Sequence, residues 1–144
     1  MTYSPNIGLF YSNSALQQVS IISNNNRRQI GFIRSYGNLE DNWDTYGADK
    51  PSNKAITKAV SFAKYLSDKS IDIFFTAPTP DGDILIELQN EGANLEFLFS
   101  SIDEEDKVIA SYNNEYHCEA AINDTTKNAY LKWLICPNGG CPDF

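Results

Sequence analysis

Two aromatic residues, Trp43 and Tyr46, and two carboxylates, Asp44 and Asp49, fall within seven residues, next to Gly47 and the pair Pro51-Ser52. The indole N–H and the phenol O–H are donors, and a carboxylate is an acceptor for either one or for backbone amides. Such a group can brace a buried turn, or it can present an aromatic face and negative charge to a partner. Aromatics at element junctions are usually core, so the spacing predicts a buried turn that plugs the gap between two helices. Gly47 would supply φ > 0 in that turn, and Trp43→Ala would unfold the domain. A second acidic turn, Asp81-Gly82-Asp83, follows. The candidate binding residues are therefore Trp43, Asp44, Tyr46, Asp49, Asp81 and Asp83.

Other chemistries have less support. His117 is the only histidine, and no serine sits in a Gly-x-Ser-x-Gly elbow, so a hydrolase triad has no basis. His117 and Cys118 adjoin on an expected strand. Their side chains should leave opposite faces, which argues against a Cys-His dyad. Cys136 and Cys141 flank a Pro-Asn-Gly-Gly loop; they are free thiols, an oxidisable pair, or two ligands of a zinc site whose third would be Cys118. Asp103–Asp106 lacks the ligand spacing of an EF-hand and is expected to be a solvated loop. Glu87 and Glu96 are expected as cross-strand neighbours on the polar sheet face, where like charges raise one pKa. No catalytic residue, metal site or cofactor is assigned.

The order Trp43-Asp44-x-Tyr46-Gly47-Ala48-x-x-Pro51-Ser52, followed by an amphipathic stretch, resembles a set of small uncharacterised bacterial proteins with a W-D-x-Y-G-A-x-x-P-S signature. In that set the helix leads into a hairpin similar to Ala77–Glu87, usually with P-D-G-G and an aromatic after the acidic strand residue. Here Asp83 replaces the second glycine and Leu88 the aromatic. The resemblance covers the middle half of the chain. It implies an α+β fold and a bacterial or phage source, and it implies no activity.

Composition narrows the classes. The 144 residues suffice for one domain with a real core, and 42% hydrophobic and 12% aromatic content fits a folded globule. Nineteen acidic residues against eleven basic ones leave a net charge of −8. That disfavours nucleic acid, whose phosphates need clustered cations, and anionic membranes; it suits a basic protein partner. Arg27, Arg28 and Arg34 form the one basic cluster, read as a solvated helix face. Met1–Gln18 lacks the pattern of a targeting segment and no run is long enough to span a membrane, so the expected location is cytoplasmic.

The elements that must position these residues follow from periodicity. Residues 1–22 read as an irregular segment. A helix is expected from about Asn26 to Tyr36, after an Asn24-Asn25-Asn26 turn or cap signal and ending near Gly37. Ser52 caps a second helix with the stripe Ile56, Ala59, Val60, Ala63 and Leu66. From Ile71 the period is two, giving about five antiparallel strands broken at Pro78–Gly82, Asn90–Gly92, Asp103–Asp106 and Asn113-Asn114. Tyr116, Cys118, Ala120 and Ile122 are expected on one face of the last strand. Asn123 begins a final helix, and 136–144 is a loose tail. The expectation is a single α+β domain over 1–144: two N-terminal helices joined by the Trp43 turn, a meander, and a C-terminal helix on the oily sheet face. Its expected role is that of a small acidic interaction protein of antitoxin, immunity or phage-inhibitor kind. The alternatives are a subunit of a larger bacterial assembly and a hydrolase using paired carboxylates.

Overall fold

The computed structural model describes residues 23–142. The irregular segment expected over 1–22 lies outside the described residues. Helix α1 (Asn24–Ser35) passes through a 3-10 turn (Tyr36–Asn38) and a long connection into α2 (Asn53–Asp68). Strands β1 (Phe75–Pro78), β2 (Ile84–Asn90), β3 (Ala93–Phe99), β4 (Lys107–Tyr112) and β5 (Glu115–Ala121) form one antiparallel sheet in chain order, and α3 (Asp124–Ile135) closes the described fold. This is the α+β layout that the change of period predicts.

Alternation builds the two layers. In β2 and β3 every second side chain is buried: Ile84, Ile86, Leu88, then Leu95, Phe97, Phe99. Burial of each such side chain is worth roughly 1.5–3 kcal/mol. The helices cover this face. Phe62 of α2 lies 4.4 Å from Phe97 and 5.4 Å from Phe99 between ring centroids, and Tyr130, Leu131, Trp133 and Leu134 of α3 join the same cluster. Among the described residues no helix lies over the other face, where the side chains of Leu85, Glu87, Glu96, Leu98 and Ile109 are half-buried.

The helix caps follow from local chemistry. Ser52 Oγ accepts from Ala55 N–H at 3.0 Å, and Asn123 with Thr126 forms a reciprocal capping box. The asparagine run is not a turn. Ser23 is the cap of α1, and Asn26 sits inside the helix at 1% exposure. Its Nδ2 donates to Ser67 Oγ (3.0 Å) and to Ile71 O (2.9 Å), and its Oδ1 accepts from Ile73 N–H (2.9 Å). A second buried bracket joins the same elements: Thr76 Oγ1 donates to Gln29 Oε1, and Tyr36 Oη donates to Thr76 O.

Two strand expectations need correction. The alternation read from Ile71 breaks before β1: Ile73 is buried, Phe74 and Phe75 are both exposed, and Thr76 is buried. The brackets from α1 fix residues 71–76, so the strand pairs only from Phe75, opposite Glu87. In β5 a bulge shifts the register between Ala110 and Ser111. Tyr116 then pairs with Ser111 and faces outward at 62% exposure, apart from Cys118.

Candidate partner-binding surface

The connection between α1 and α2 is a loop that satisfies its own backbone. Asn42, Thr45 and Gly47 hold φ of 67°, 66° and 89°, and a β-branched residue such as Thr45 stays there only when its surroundings hold it. Here side chains do so. Asn42 Oδ1 accepts from Gly47 N–H at 2.7 Å, Asp44 Oδ1 accepts from Tyr46 N–H at 2.8 Å and Ala48 N–H at 3.0 Å, and Asp41 Oδ1 accepts from Lys50 N–H at 3.0 Å. Asn42 N–H closes the loop on Ala48 O at 2.6 Å. Trp43 Nε1–H donates to Asp49 O at 2.9 Å.

The loop is not the buried plug that its aromatics suggest. Tyr46 is 90% exposed, Trp43 is only half-buried, and Ala48 and Pro51 are the residues that go inside. The physical reason is the bracing: with its amides paired to Asp41, Asn42 and Asp44, the loop needs no core burial to hold one shape. Of those three braces the sequence reading singled out only Asp44. The signal for them was the dense run of Asp and Asn, which favours local side-chain-to-backbone bonds.

The loop also docks on the β1–β2 turn. Asp49 N–H donates to Pro80 O at 2.8 Å and Ser52 N–H to Gly82 O at 3.0 Å. This brings Asp49 beside the Asp81-Gly82-Asp83 turn, so both acidic segments found in the sequence meet at one end of the molecule. Glu105 and Asp106 lie close by. Burial raises the Asp83 carboxyl above its usual range, the Ser100 side chain draws it back, and the charges of Asp81, Glu105 and Asp106 push it up again. Negative charge is thus crowded there without enough cations to relieve it. The indole N–H of Trp43 and Oδ1 of Asp44 are spent on the loop itself. Tyr46, Asp49 and Asp81 are exposed, and Asp83 is half-buried.

Gly82 is the hinge of this arrangement. Its φ is +83°, and a Cβ there would stand 3.0 Å from Lys50 O. Gly82→Ala is expected to cost about 1–2 kcal/mol from the left-handed backbone alone, and to loosen the loop against the turn. Urea unfolding would measure the first effect and amide exchange at Asp49 and Ser52 the second.

Elsewhere the titratable groups give no reaction centre. The bulge in β5 turns His117 to the same side as Cys118, contrary to simple alternation: the His117 ring stacks 6.1 Å from Tyr112, which meets Trp133 edge-on, while Tyr130 Oη contacts Cys118 Sγ at 3.7 Å. Burial, and then the neighbouring Cys141 thiol, push Cys118 up to about 11. A thiol held there is protonated at neutral pH and is a poor nucleophile. Cys141, whose Sγ lies 3.7 Å from His117 O, therefore neighbours Cys118. All three cysteines are free thiols. Among the described residues no group of three or more His, Cys, Asp or Glu side chains is placed to hold a metal ion. The acid run is not wholly solvated either: Asp106 is 9% exposed and binds Lys58 Nζ through both oxygens, at 2.9 and 2.8 Å.

Comparison of the chain with family models, with curated proteins and with solved structures finds no match. Among the described residues no helix is long and apolar enough to cross a membrane.

Proposed function

We propose that this chain is a small acidic protein that acts by stoichiometric binding of a basic protein partner, in the manner of an antitoxin, an immunity protein or a phage-encoded inhibitor, in the cytoplasm of a bacterial cell. One observation carries the reading. Tyr46, 90% exposed, stands in a loop braced by its own side chains, and Asp49 of the same loop docks on the turn that carries Asp81. A large aromatic held rigid before contact loses little entropy on binding, and tyrosine is among the residues enriched at binding hot spots. The likeness of Trp43–Ser52 to the W-D-x-Y-G-A-x-x-P-S proteins supports a bacterial or phage origin.

The test is recovery of a partner by the tagged chain from a bacterial lysate, repeated with Tyr46→Ala. Because the ring is solvated in the free protein, the variant should keep its stability within about 0.5 kcal/mol. It should lose partner affinity by about 2 kcal/mol or more, a factor near thirty. Equal recovery by both proteins, with the variant shown to be folded, would remove Tyr46 from the contact and the reading with it.

A further inference from the structure

The two layers differ sharply in charge. Residues 71–122, which hold the sheet and its turns, carry twelve carboxylates and one cation, Lys107, for a net of −11; the rest of the chain carries seven carboxylates and ten cations, for a net of +3. Lys54 and Lys58 of α2 neutralise part of Asp103 and Asp106 at the layer boundary. One cation, Lys107, shares the open face: it pairs with Leu98 in the row beside Glu96 and Glu119 and makes no salt bridge to either among the described residues. Strand register sets Glu87 directly opposite Glu96, then Ile109, then Glu119 in one row across four strands. No salt bridge among the described residues involves any of these three glutamates.

Like charges directly opposite each other destabilise a sheet. Burial raises the Glu96 carboxyl and the Glu87 charge raises it further. Apolar side chains lie beside the row, with Lys107 among them. Leu85 and Leu98 face each other in the next row, and Phe75, 47% exposed, pairs with Glu87 at the sheet edge. Asn94 pairs with Gln89 next to the Glu row, and its Oδ1 has no hydrogen-bond donor.

We propose that this open sheet face seats an arginine-rich segment of a protein partner, laid across the strands along the Glu87–Glu96–Ile109–Glu119 row. The chemistry selects arginine. Its guanidinium offers five N–H donors in a planar fork that can bridge two carboxylates, and its stem packs on Leu85, Leu98 and Ile109. Neighbouring strands lie about 4.8 Å apart, so the row spans roughly 14 Å, which an extended segment covers with four or five residues. A nucleic acid or an anionic membrane would bring charge of the same sign to this face. The inference goes beyond the Tyr46 contact, which sits on the connection between α1 and α2 and not on the strands, so either can fail alone.

The experiment uses the full chain, labelled with 15N, and a nine-arginine peptide as probe. Saturable amide shifts should concentrate at Glu87, Glu96, Ile109 and Glu119 and their row neighbours. The triple variant E87Q/E96Q/E119Q should weaken binding at least tenfold. A charge-matched control in the same layer but off the row, D72N/E91Q/E115Q, should weaken it less than threefold. Glu96→Gln alone provides a further readout. A carboxyl raised in the native state costs stability while ionised, so this variant should melt at higher temperature at pH 7, with the gain vanishing below about pH 4.5, while binding the peptide more weakly. Equal losses in the two triple variants, shifts spread over all carboxylates or centred on Asp49 and Asp81, or self-association through this face in place of peptide binding would each overturn the proposal.

Discussion

Asn26→Leu is expected to destabilise the domain by about 2–5 kcal/mol, although it replaces a polar residue by an apolar one of similar size at a buried position. The side chain of Asn26 brackets the chain between α2 and β1, donating to Ile71 O and accepting from Ile73 N–H. Leucine would leave both of these backbone groups without a partner, at about 1–3 kcal/mol for each. Ser67 is spared, because its hydroxyl also donates to Ala63 O at 3.1 Å. Asn26→Asp should not rescue the site: it keeps the acceptor for Ile73 but turns the donor into an acceptor facing Ile71 O. The check is urea unfolding, where the midpoint should fall with little change in slope. Retention of the wild-type midpoint by Asn26→Leu would show that the bracket contributes nothing net.

Asp106→Ala is expected to cost about 2–4 kcal/mol. Asp106 Oδ1 accepts from the buried Ser100 N–H at 2.7 Å while both of its oxygens hold Lys58. Removing it strands the amide and leaves Lys58 only its bond to Asp103 at 2.9 Å. Breaking a fully buried pair costs about 3–5 kcal/mol; the Lys58 side chain keeps 23% of its exposure, so solvent screening trims the figure. Burial pulls the Lys58 ammonium down, but the hydrogen bonds it donates to Asp106 and then Asp103 outweigh it and hold its pKa above 10.5. A raised lysine stabilises the native state fully below its unfolded value and loses that contribution as pH climbs through the native one. The deficit of Asp106→Ala should therefore be full at neutral pH and shrink above about pH 10.5. Asp103 behaves in the opposite sense: its hydrogen bonds to Lys58 and then Lys54 lower its pKa below 3.8, so its contribution holds at neutral pH and fades as acid protonates it. Chemical melts of the wild type and the variant at pH 7 and at pH 11 would test the sign.

The strands and the helix faces were legible because they repeat. Every second residue of β2 and β3 is apolar, and the stripe in α2 recurs at helical spacing, so period alone placed them. The Glu87–Glu96 pairing was legible for the same reason, since alternation and the Asn90–Gly92 turn fix the register between their strands. What failed was whatever depends on a single long-range contact. Asn26 reads as a turn former, and only the approach of residues 67–73 makes it a buried bracket. Phe75 reads as core by alternation, yet that approach also turns it out. Asp106 reads as one more acid in a solvated run until Lys58 arrives from α2. At the Trp43 stretch the aromatics drew the eye to burial, while the deciding residues were the small acceptors Asp41, Asn42 and Asp44, which let the loop stand without the core.

The strand order carries a consequence for how the chain assembles. Each strand pairs with the one before it in sequence, so the sheet can grow by successive hairpins that each close a short loop, the kind of contact that forms early and fast. The bracket from α1 is different. Asn26 meets Ile71 and Ile73 across separations of 45 and 47 residues, and closing so long a loop has an entropy cost that only the finished neighbourhood repays. The hairpins of the meander are therefore expected to form before α1 locks on, so Asn26→Leu should speed unfolding more than it slows folding.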